Sequence, residues 1–307
     1  MKHAMELLQE AAVKNGPLCV GLDTAPSYIP DAVLKDYKSP AEAVLAYNTQ
    51  IISRIAAEKT ACCCKIQIAY YEAMGIEGLI VYAKTIQAVH NAGLIAISDI
   101  KRGDIADTAK AYAHAHFSGE FETDIITVNP YMGFDTLAPF TEYCKPNATK
   151  TGKGMFVLLR TSNPGMVDIE QQELKNGRRV LDTVGAELER LNAQFKLLYP
   201  EQSCSPVGAV VGCTEENDAK ALRAEYPDLF FLIPGYGAQG GAARIAATLL
   251  QNAGGTVNSS RGILCAWKKI PELAEKAQSG NITMADIADA AGSASASAKR
   301  ELLCAKK

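Results

Sequence analysis

The fold of this chain is decided by residues 93–104, which read GLIAISDIKRGD. Gly93 follows an amphipathic stretch, Ile76–Ala92, and glycine commonly ends a helix. The next residues, Leu94–Asp99, begin as an apolar run and end in polar side chains, as in a parallel strand whose two faces are buried. The stretch is therefore predicted to join a helix to a strand, the junction that is typical of a repeated β/α unit.

The same unit recurs along the chain. Short apolar runs predict strands at Leu18–Asp23, Cys62–Ile68, Leu94–Asp99, Asp124–Asn129, Met155–Arg160, Pro206–Gly212, Phe230–Pro234 and Gly255–Ser260. Helical spacing between them predicts helices at Ala41–Ala57, Ile76–Ala92, Ile105–Phe117, Arg178–Leu197 and Glu215–Glu225. Apolar strands that alternate with helices predict a parallel sheet covered by helices.

Two α/β architectures fit this alternation. A doubly wound sheet predicts a glycine-rich turn after the first strand, whereas this turn reads Asp23-Thr24-Ala25-Pro26. Eight strands fit a (β/α)8 TIM barrel, which typically has about 250 residues. We therefore predict that residues 1–307 form one such barrel as a single domain. The surplus length is assigned to an insertion after the fifth strand, at about 161–177, and to a C-terminal helical segment at about 281–307.

Composition narrows the class of protein. Of 307 residues, 48% are hydrophobic and 21% are charged, and the net charge of −3 argues against a nucleic-acid partner. No apolar run approaches the roughly 20 residues of a membrane span, and Met1–Gly16 carries charges at helical spacing, unlike a signal peptide. We therefore expect a cytoplasmic protein that does not bind membranes.

Cysteine and histidine give little indication of a metal site. The nine cysteines include the run Cys62-Cys63-Cys64 but no C-x-x-C pair, so we expect buried, reduced thiols. His114 and His116 are two apart in a helical pattern and are expected to point to different faces. We predict no bound metal.

Charged residues follow the predicted strands. Asp99 and Lys101 share one face of the third strand, Gly103 permits a sharp turn, and Asp104 follows it. Lys65 and Gln67 share one face of the second strand. Because the site of a (β/α)8 barrel lies at the carboxyl ends of its strands, we expect these side chains to meet at one mouth.

The pattern allows a structural ion-pair network or a catalytic site. Buried charges are costly unless each has a partner, and two acids beside one lysine exceed what a structural network needs. A lysine between carboxylates stays protonated. We therefore interpret Lys101 as a positioned proton donor and not as a Schiff-base nucleophile, which needs a lowered pKa.

A second set of residues predicts phosphate binding. The seventh strand is followed by the glycine-rich loop Pro234–Gly241 and the eighth by Arg261. Loops at these positions often bind phosphate through backbone N–H groups, and arginine adds charge-assisted contacts. The candidate substrate-binding residues here and at the end of the fourth strand are Asn129, Pro234, Gly235, Gly237, Gln239, Gly240, Ser260 and Arg261.

The motifs resemble those of orotidine 5′-monophosphate decarboxylase, and most closely its longer, stand-alone bacterial-type group. The resemblance rests on Asp99-Ile100-Lys101-Arg102-Gly103-Asp104-Ile105 with Thr108, Lys65-Ile66-Gln67, Thr161-Ser162-Asn163-Pro164-Gly165, Pro234–Gly241 and Asn258-Ser259-Ser260-Arg261-Gly262. It runs from Asp23 to Arg261 in the family's order.

The resemblance implies a reaction and roles for the residues. Orotidine 5′-monophosphate would lose CO2 to give uridine 5′-monophosphate, the last step of pyrimidine nucleotide synthesis, without a cofactor. Asp99 would lie against the departing carboxylate and Lys101 would protonate C6, while Asp23, Lys65 and Gln67 would hold the ribose. The remaining implied contacts are Ser162 to the pyrimidine, Gln239 to pyrimidine and phosphate, Arg261 to phosphate, and Asp104, Ile105 and Thr108 to the neighbouring site of a homodimer.

Three residues depart from the family's pattern without removing a charge. Ser260 stands where many shorter members have glycine, Tyr236 where a small aliphatic residue is common, and Gln67 where some members have asparagine. Two alternatives stay open. One is a related sugar-phosphate decarboxylase or aldolase barrel that depends on a metal, and the other is a non-catalytic barrel that binds pyrimidine nucleotides.

Overall fold

The computed structural model describes residues 1–236 and 242–305. Eight parallel strands close into a barrel in chain order, and the eighth strand pairs with the first. The strands are β1 (Leu18–Gly21), β2 (Cys63–Gln67), β3 (Ile95–Arg102), β4 (Ile125–Val128), β5 (Gly154–Arg160), β6 (Val207–Val211), β7 (Phe231–Ile233) and β8 (Gly255–Ser259). The predicted (β/α)8 barrel is confirmed, and each predicted strand overlaps an observed one.

Helices lie between and around the strands. They are α1 (Ala4–Asn15), α2 (Asp31–Leu34), α3 (Pro40–Glu58), α4 (Ile68–Glu72), α5 (Gly75–Asn91), α6 (Ala106–Phe117), α7 (Ala138–Cys144), α8 (Val180–Leu198), α9 (Glu216–Glu225), α10 (Ala242–Leu249), α11 (Arg261–Leu264), α12 (Pro271–Gln278) and α13 (Met284–Ala305). The five predicted helices correspond to α3, α5, α6, α8 and α9. Within the described ranges, every helix is too short or too polar to cross a membrane.

Two hydrophobic cores follow from the alternation of side chains along the strands. Cys63, Ile97 and Phe156 belong to the smaller core, whereas Cys64 and Ile100 belong to the larger one, in which strands pack against helices. Neighbouring residues such as Cys63 and Cys64 thus enter different cores, as expected for a strand. All nine cysteines are free thiols, and six of them are buried.

Helix α1 packs against the strands at their amino ends. Met5 and Leu8 are fully buried in the same core as Phe156, and the backbone N–H of Ala4 donates to the carbonyl of Gly152 at 2.8 Å. His3 caps the helix, because its Nδ1 accepts from the N–H of Glu6 at 3.0 Å. The amino end of the barrel is thereby filled by apolar side chains, and the carboxyl ends carry the polar ones.

The two segments with surplus length are ordered locally. Residues 161–177 contain a 3-10 helix, Pro164–Asp168, and the Glu170 carboxylate accepts from the N–H and the hydroxyl of Thr161 at 3.0 and 2.6 Å. The C-terminal helix α13 packs against α3, and the Ser295 hydroxyl donates to Thr60 at 2.8 Å. The division into one domain with these two additions stays a prediction.

Candidate active site

Four charged side chains form a chain of alternating sign at the carboxyl ends of the first three strands. Lys65 Nζ lies 2.9 Å from Asp23 Oδ1 and 3.0 Å from Asp99 Oδ2. Lys101 Nζ lies 2.5 Å from Asp99 Oδ1. The register explains the arrangement, since Gly21 pairs with Lys65 and Gln67 pairs with Asp99 across neighbouring strands.

Burial and mutual attraction both act on these charges. Burial alone would raise the pKa of the Asp99 carboxyl, but Lys65 and Lys101 outweigh it and hold that pKa well below its usual range. Burial alone would lower the pKa of Lys65, but Asp99 and Asp23 raise it above its usual value. Asp99 and Lys65 are therefore ionised at neutral pH. The outermost residue, Lys101, keeps 43% of its side chain exposed and faces the solvent side of the mouth.

Thr127 on β4, which the sequence motifs do not single out, also contacts the charged cluster. Its hydroxyl donates to Asp99 Oδ1 at 2.8 Å and accepts from the backbone N–H groups of Ile100 and Lys101, both at 3.0 Å. Lys101 has φ +46°, in the left-handed region, and the β3–β4 register shifts between Ser98 and Arg102. Such backbone is strained for a residue with a side chain and tends to occur at functional sites. A lone threonine in the apolar run of β4 was the available signal.

Ser260 and Asn258 extend the cluster to β8. The Ser260 hydroxyl donates to Asp23 Oδ2 at 2.7 Å and accepts from Asn258 Nδ2 at 3.1 Å. A Cβ atom at position 21 would lie 1.9 Å from Ser260 Oγ, so only glycine at this point of β1 lets the serine reach the carboxylate. The departure at Ser260 therefore places a hydroxyl on one of the proposed ribose-binding residues.

Asp104 does not join the cluster of its own chain, contrary to the expectation of two acids around Lys101. Within the described residues its carboxylate accepts only from the N–H of Ile105, at 2.8 Å. Ile105 is 54% exposed, and Thr108 is exposed on α6. Gly103, which precedes Asp104, also differs from expectation. The structure requires glycine there to avoid a steric clash, and not for a left-handed turn. A Cβ at position 103 would lie 2.7 Å from the carbonyl oxygen of Asn129. The residues of this segment that have a left-handed backbone conformation are Lys101 and Ala106.

The other predicted residues lie around the same mouth. Gln67 caps α4, since its Oε1 accepts from the N–H of Ala69 at 3.3 Å, and Asn129 Oδ1 accepts from the N–H of Tyr131 at 3.0 Å. Ser162 is exposed after β5, and Arg261 is exposed at the start of α11. Pro234 and Gly235 follow β7, and Gly235 has φ +86°. Gly237, Gln239 and Gly240 lie outside the described residues.

One group of potential metal ligands occurs in the described part of the chain, away from the mouth. It comprises His3, Glu6 and Cys204 beside α1. Both ring nitrogens of His3 are engaged, Nδ1 by the N–H of Glu6 and Nε2 by the carbonyl of Cys204 at 2.9 Å. The Glu6 carboxylate accepts from Ser203 and Cys204. These contacts make the group a network that attaches α1 to the barrel.

The fold and the charged cluster define the class of protein, a (β/α)8 barrel with an ionised site at the carboxyl ends of its strands. Residues 16–275 match the model of the Orotidine 5′-phosphate decarboxylase / HUMPS family. The chain belongs to this family.

Individual relatives agree with that membership. The orotidine 5′-phosphate decarboxylase of Clostridium novyi (strain NT) is 48% identical over 266 residues, which are 86% of this chain and 90% of that protein. The solved structure of Leishmania donovani OMP decarboxylase is 31% identical with a TM-score of 0.66, covering 91% of this chain and 97% of that one. A solved structure from Streptomyces avermitilis is 28% identical with a TM-score of 0.77, covering 100% and 96%.

Proposed function

We propose that this protein converts orotidine 5′-monophosphate to uridine 5′-monophosphate and CO2 in pyrimidine nucleotide synthesis, without a metal or organic cofactor. The observation that carries the proposal is the alternating chain Asp23, Lys65, Asp99 and Lys101 at the barrel mouth. Family membership and the activity named for the Clostridium novyi relative support it.

The proposed chemistry makes Lys101 the general acid. Loss of CO2 from C6 leaves a carbanion that has no conjugated electron sink, so pre-placed charge must stabilise it. The Lys101 ammonium supplies that charge and then protonates C6. Asp99, which Lys65, Lys101 and Thr127 hold in its ionised form, would lie beside the departing carboxylate and destabilise the ground state.

The remaining contacts are proposed from the family resemblance. Asp23, Lys65 and Gln67 hold the ribose, Ser162 and Gln239 contact the pyrimidine, and Arg261 with the loop after β7 binds the phosphate. Phosphate binding far from C6 would supply energy for alignment and loop closure. The residues proposed to surround the substrate are Asn129, Pro234, Gly235, Gly237, Gly240 and Ser260.

We further propose a homodimer in which Asp104, Ile105 and Thr108 enter the partner's site. Support comes from their orientation, since Asp104 is not joined to Lys101 of its own chain and Ile105 leaves an apolar side chain in solvent. Tyr131 and Met132, on the neighbouring strand end, are also exposed. A cytoplasmic location is proposed because the nine cysteines are free, as is usual in a reducing compartment.

The deciding experiment is the absorbance assay of orotidine 5′-monophosphate decarboxylation with and without a chelator. We expect activity that survives chelation and that falls by several orders of magnitude in Lys101→Ala, because the variant lacks the acid and the cation. Lys220→Ala on α9, an exposed lysine paired with Glu216 at 2.8 Å, is the matched control and is expected to keep full activity. Near-normal turnover by Lys101→Ala would refute the mechanism.

The same assay tests the alternatives. A metal-dependent sugar-phosphate enzyme would lose its activity on chelation and leave orotidine 5′-monophosphate intact. A barrel that only binds pyrimidine nucleotides would bind uridine 5′-monophosphate and release no CO2.

A further inference from the structure

A buried polar cluster lies directly behind Asp23. We call it the Asn48 hub, and it consists of Asn48 on α3, Tyr71 on α4, Thr85 on α5 and Thr24, which follows Asp23. All four side chains are fully buried. The hub connects three helices to the end of β1, and no residue of it is among the candidate site residues.

The hydrogen bonds of the hub end on the two neighbours of Asp23. Asn48 Oδ1 accepts from the Thr24 hydroxyl at 2.7 Å, and Asn48 Nδ2 donates to Tyr71 Oη at 2.9 Å and to Thr85 Oγ1 at 3.4 Å. The Tyr71 hydroxyl in turn donates to the carbonyl of Leu22 at 2.8 Å. The hub therefore holds the carbonyl of Leu22 on one side of Asp23 and the side chain of Thr24 on the other.

Contacts with the barrel strands also hold the Leu22–Asp23 segment. The N–H of Leu22 donates to the carbonyl of Lys65 at 2.7 Å. The Asp23 carboxylate contacts Lys65 through Oδ1 and Ser260 through Oδ2. The Leu22 N–H and both carboxylate oxygens of Asp23 therefore have defined partners, and the hub holds the Thr24 side chain and the Leu22 carbonyl.

Packing alone does not account for the hub. A buried hydroxyl or amide that lacks a partner costs roughly 1–3 kcal/mol, so a network of this kind is tolerated only when every member is satisfied. Apolar side chains at the same positions would pack between the helices without that risk. What they would lack is a directional bond to the peptide on each side of Asp23.

We propose that the Asn48 hub is a positioning network that sets the Asp23 carboxylate for the sugar hydroxyls of the bound nucleotide. The inference rests on the proposed function, in which Asp23 holds the ribose. Asn48, Thr24 and Tyr71 act through Asp23. A change in the hub should therefore alter the preference for a ligand with sugar hydroxyls, and not the overall affinity for the nucleotide.

The test compares two identical substitutions on one hub. Thr24→Val removes the bond next to Asp23, whereas Thr85→Val removes an equally buried hydroxyl that is bonded to Asn48 but to neither neighbour of Asp23. Calorimetry would measure the Kd of uridine 5′-monophosphate and of its 2′,3′-dideoxy analogue. We expect Thr24→Val to weaken the first by about fivefold, the worth of one hydrogen bond, and the second by less than about twofold.

Thr85→Val is expected to change the Kd of either ligand by less than about twofold. Denaturant unfolding should show a loss of stability in Thr24→Val and in Thr85→Val. Tyr71→Phe, which removes the bond to the Leu22 carbonyl, is the second variant and is expected to behave as Thr24→Val. Equal weakening of the two ligands, or no weakening of either, in both Thr24→Val and Tyr71→Phe would overturn the inference.

Asp23→Ala separates this inference from the proposed function. We expect it to reduce the preference for the hydroxylated ligand, with Lys65 and Gln67 left as the other proposed ribose contacts. If that preference is unchanged in Asp23→Ala, the ribose assignment of Asp23 is wrong, and the inference falls with it. If it is reduced there but unchanged in Thr24→Val and Tyr71→Phe, only the hub assignment is wrong.

Discussion

Lys101 has a strained backbone conformation, and that conformation places its ammonium group in the charged cluster. Its φ of +46° lies where residues with a Cβ are disfavoured, yet its ammonium group lies 2.5 Å from Asp99. Thr127 compensates for part of the cost, because its hydroxyl accepts from the N–H groups of Ile100 and Lys101 and also donates to Asp99. One side chain on β4 therefore positions both the proposed acid and its counter-ion.

Thr127→Val is expected to lower kcat/KM by about tenfold to a hundredfold, since the backbone N–H groups of Ile100 and Lys101 lose their partner and Asp99 Oδ1 loses one of its two donors. Steady-state kinetics on orotidine 5′-monophosphate would measure it, and Thr127→Ser should restore most of the activity. Thr123→Val is the matched control, because Thr123 is equally buried and its hydroxyl donates to the Ala96 carbonyl at the other end of β3. Equal losses in the two valine variants would contradict the role of Thr127.

At the scale of elements, α1 depends on a histidine that must stay neutral. His3 is fully buried, and that burial lowers its pKa from 6.5 to about 4 against the opposing effects of the Cys204 carbonyl and Glu6. Between these two pH values the unfolded chain binds a proton that the folded protein does not. The stability of the fold therefore rises with pH across this window and is complete above the unfolded pKa.

His3→Asn tests this linkage, because asparagine is a good helix N-cap but does not titrate. In the wild-type protein, His3 is expected to add up to about 1.4 kcal/mol of unfolding free energy per pH unit between pH 4 and 6.5. Urea unfolding at pH 5 and pH 7.5 would measure the difference, which should be smaller in His3→Asn. His116, whose pKa is also lowered by burial, titrates in both proteins and cancels in the comparison. The same pH dependence in both proteins would show that His3 is not responsible.

Strands and long helices can be predicted from the sequence pattern, whereas short helices cannot. Most strands are compact apolar runs, such as β5 (Gly154–Arg160) and β6 (Val207–Val211), and the sequence therefore predicts them. Long helices such as α3 and α8 are predictable because their spacing extends over several turns. Helix α7, Ala138–Cys144, was not predicted. It has seven residues with a proline in its first turn, which is too short for a periodic pattern to develop.

On the scale of the whole molecule, a single chain leaves its proposed site open. Lys101 is 43% exposed on its side chain, Ile105 is exposed, and Asp104 is directed to its own loop. A second copy that places Asp104 and Ile105 over Lys101 would cover these groups. In such a dimer each site takes Lys101 from one subunit and Asp104 from the other.

Mixing the inactive variants Lys101→Ala and Asp104→Ala is expected to restore activity. Random exchange at equal amounts makes about half of the dimers mixed, and one of the two sites in each carries both native residues, so about one quarter of wild-type activity should return. Activity after denaturation and joint refolding would measure it, with each variant refolded alone as the control. No recovery in a mixture shown by mass spectrometry to contain mixed dimers would rule out the role in trans.

The sequence by itself determined the strands, their order and the charges at their ends. These follow from local properties, namely hydrophobic runs, side-chain alternation and the polar residue that ends each run. Lys65, Asp99 and Lys101 could be placed at one mouth because the carboxyl ends of all parallel strands in a barrel meet there.

Only the tertiary structure decided which of those charges touch and what holds them. The contacts of Thr127 with Asp99, of Ser260 with Asp23 and of Asn48 with Thr24 join residues 24 to 237 positions apart. They depend on strand register and on barrel closure, which no local preference specifies. Asp104 is the converse case. It is three residues from Lys101 in the sequence, but the backbone between them turns its carboxylate away from the cluster of its own chain.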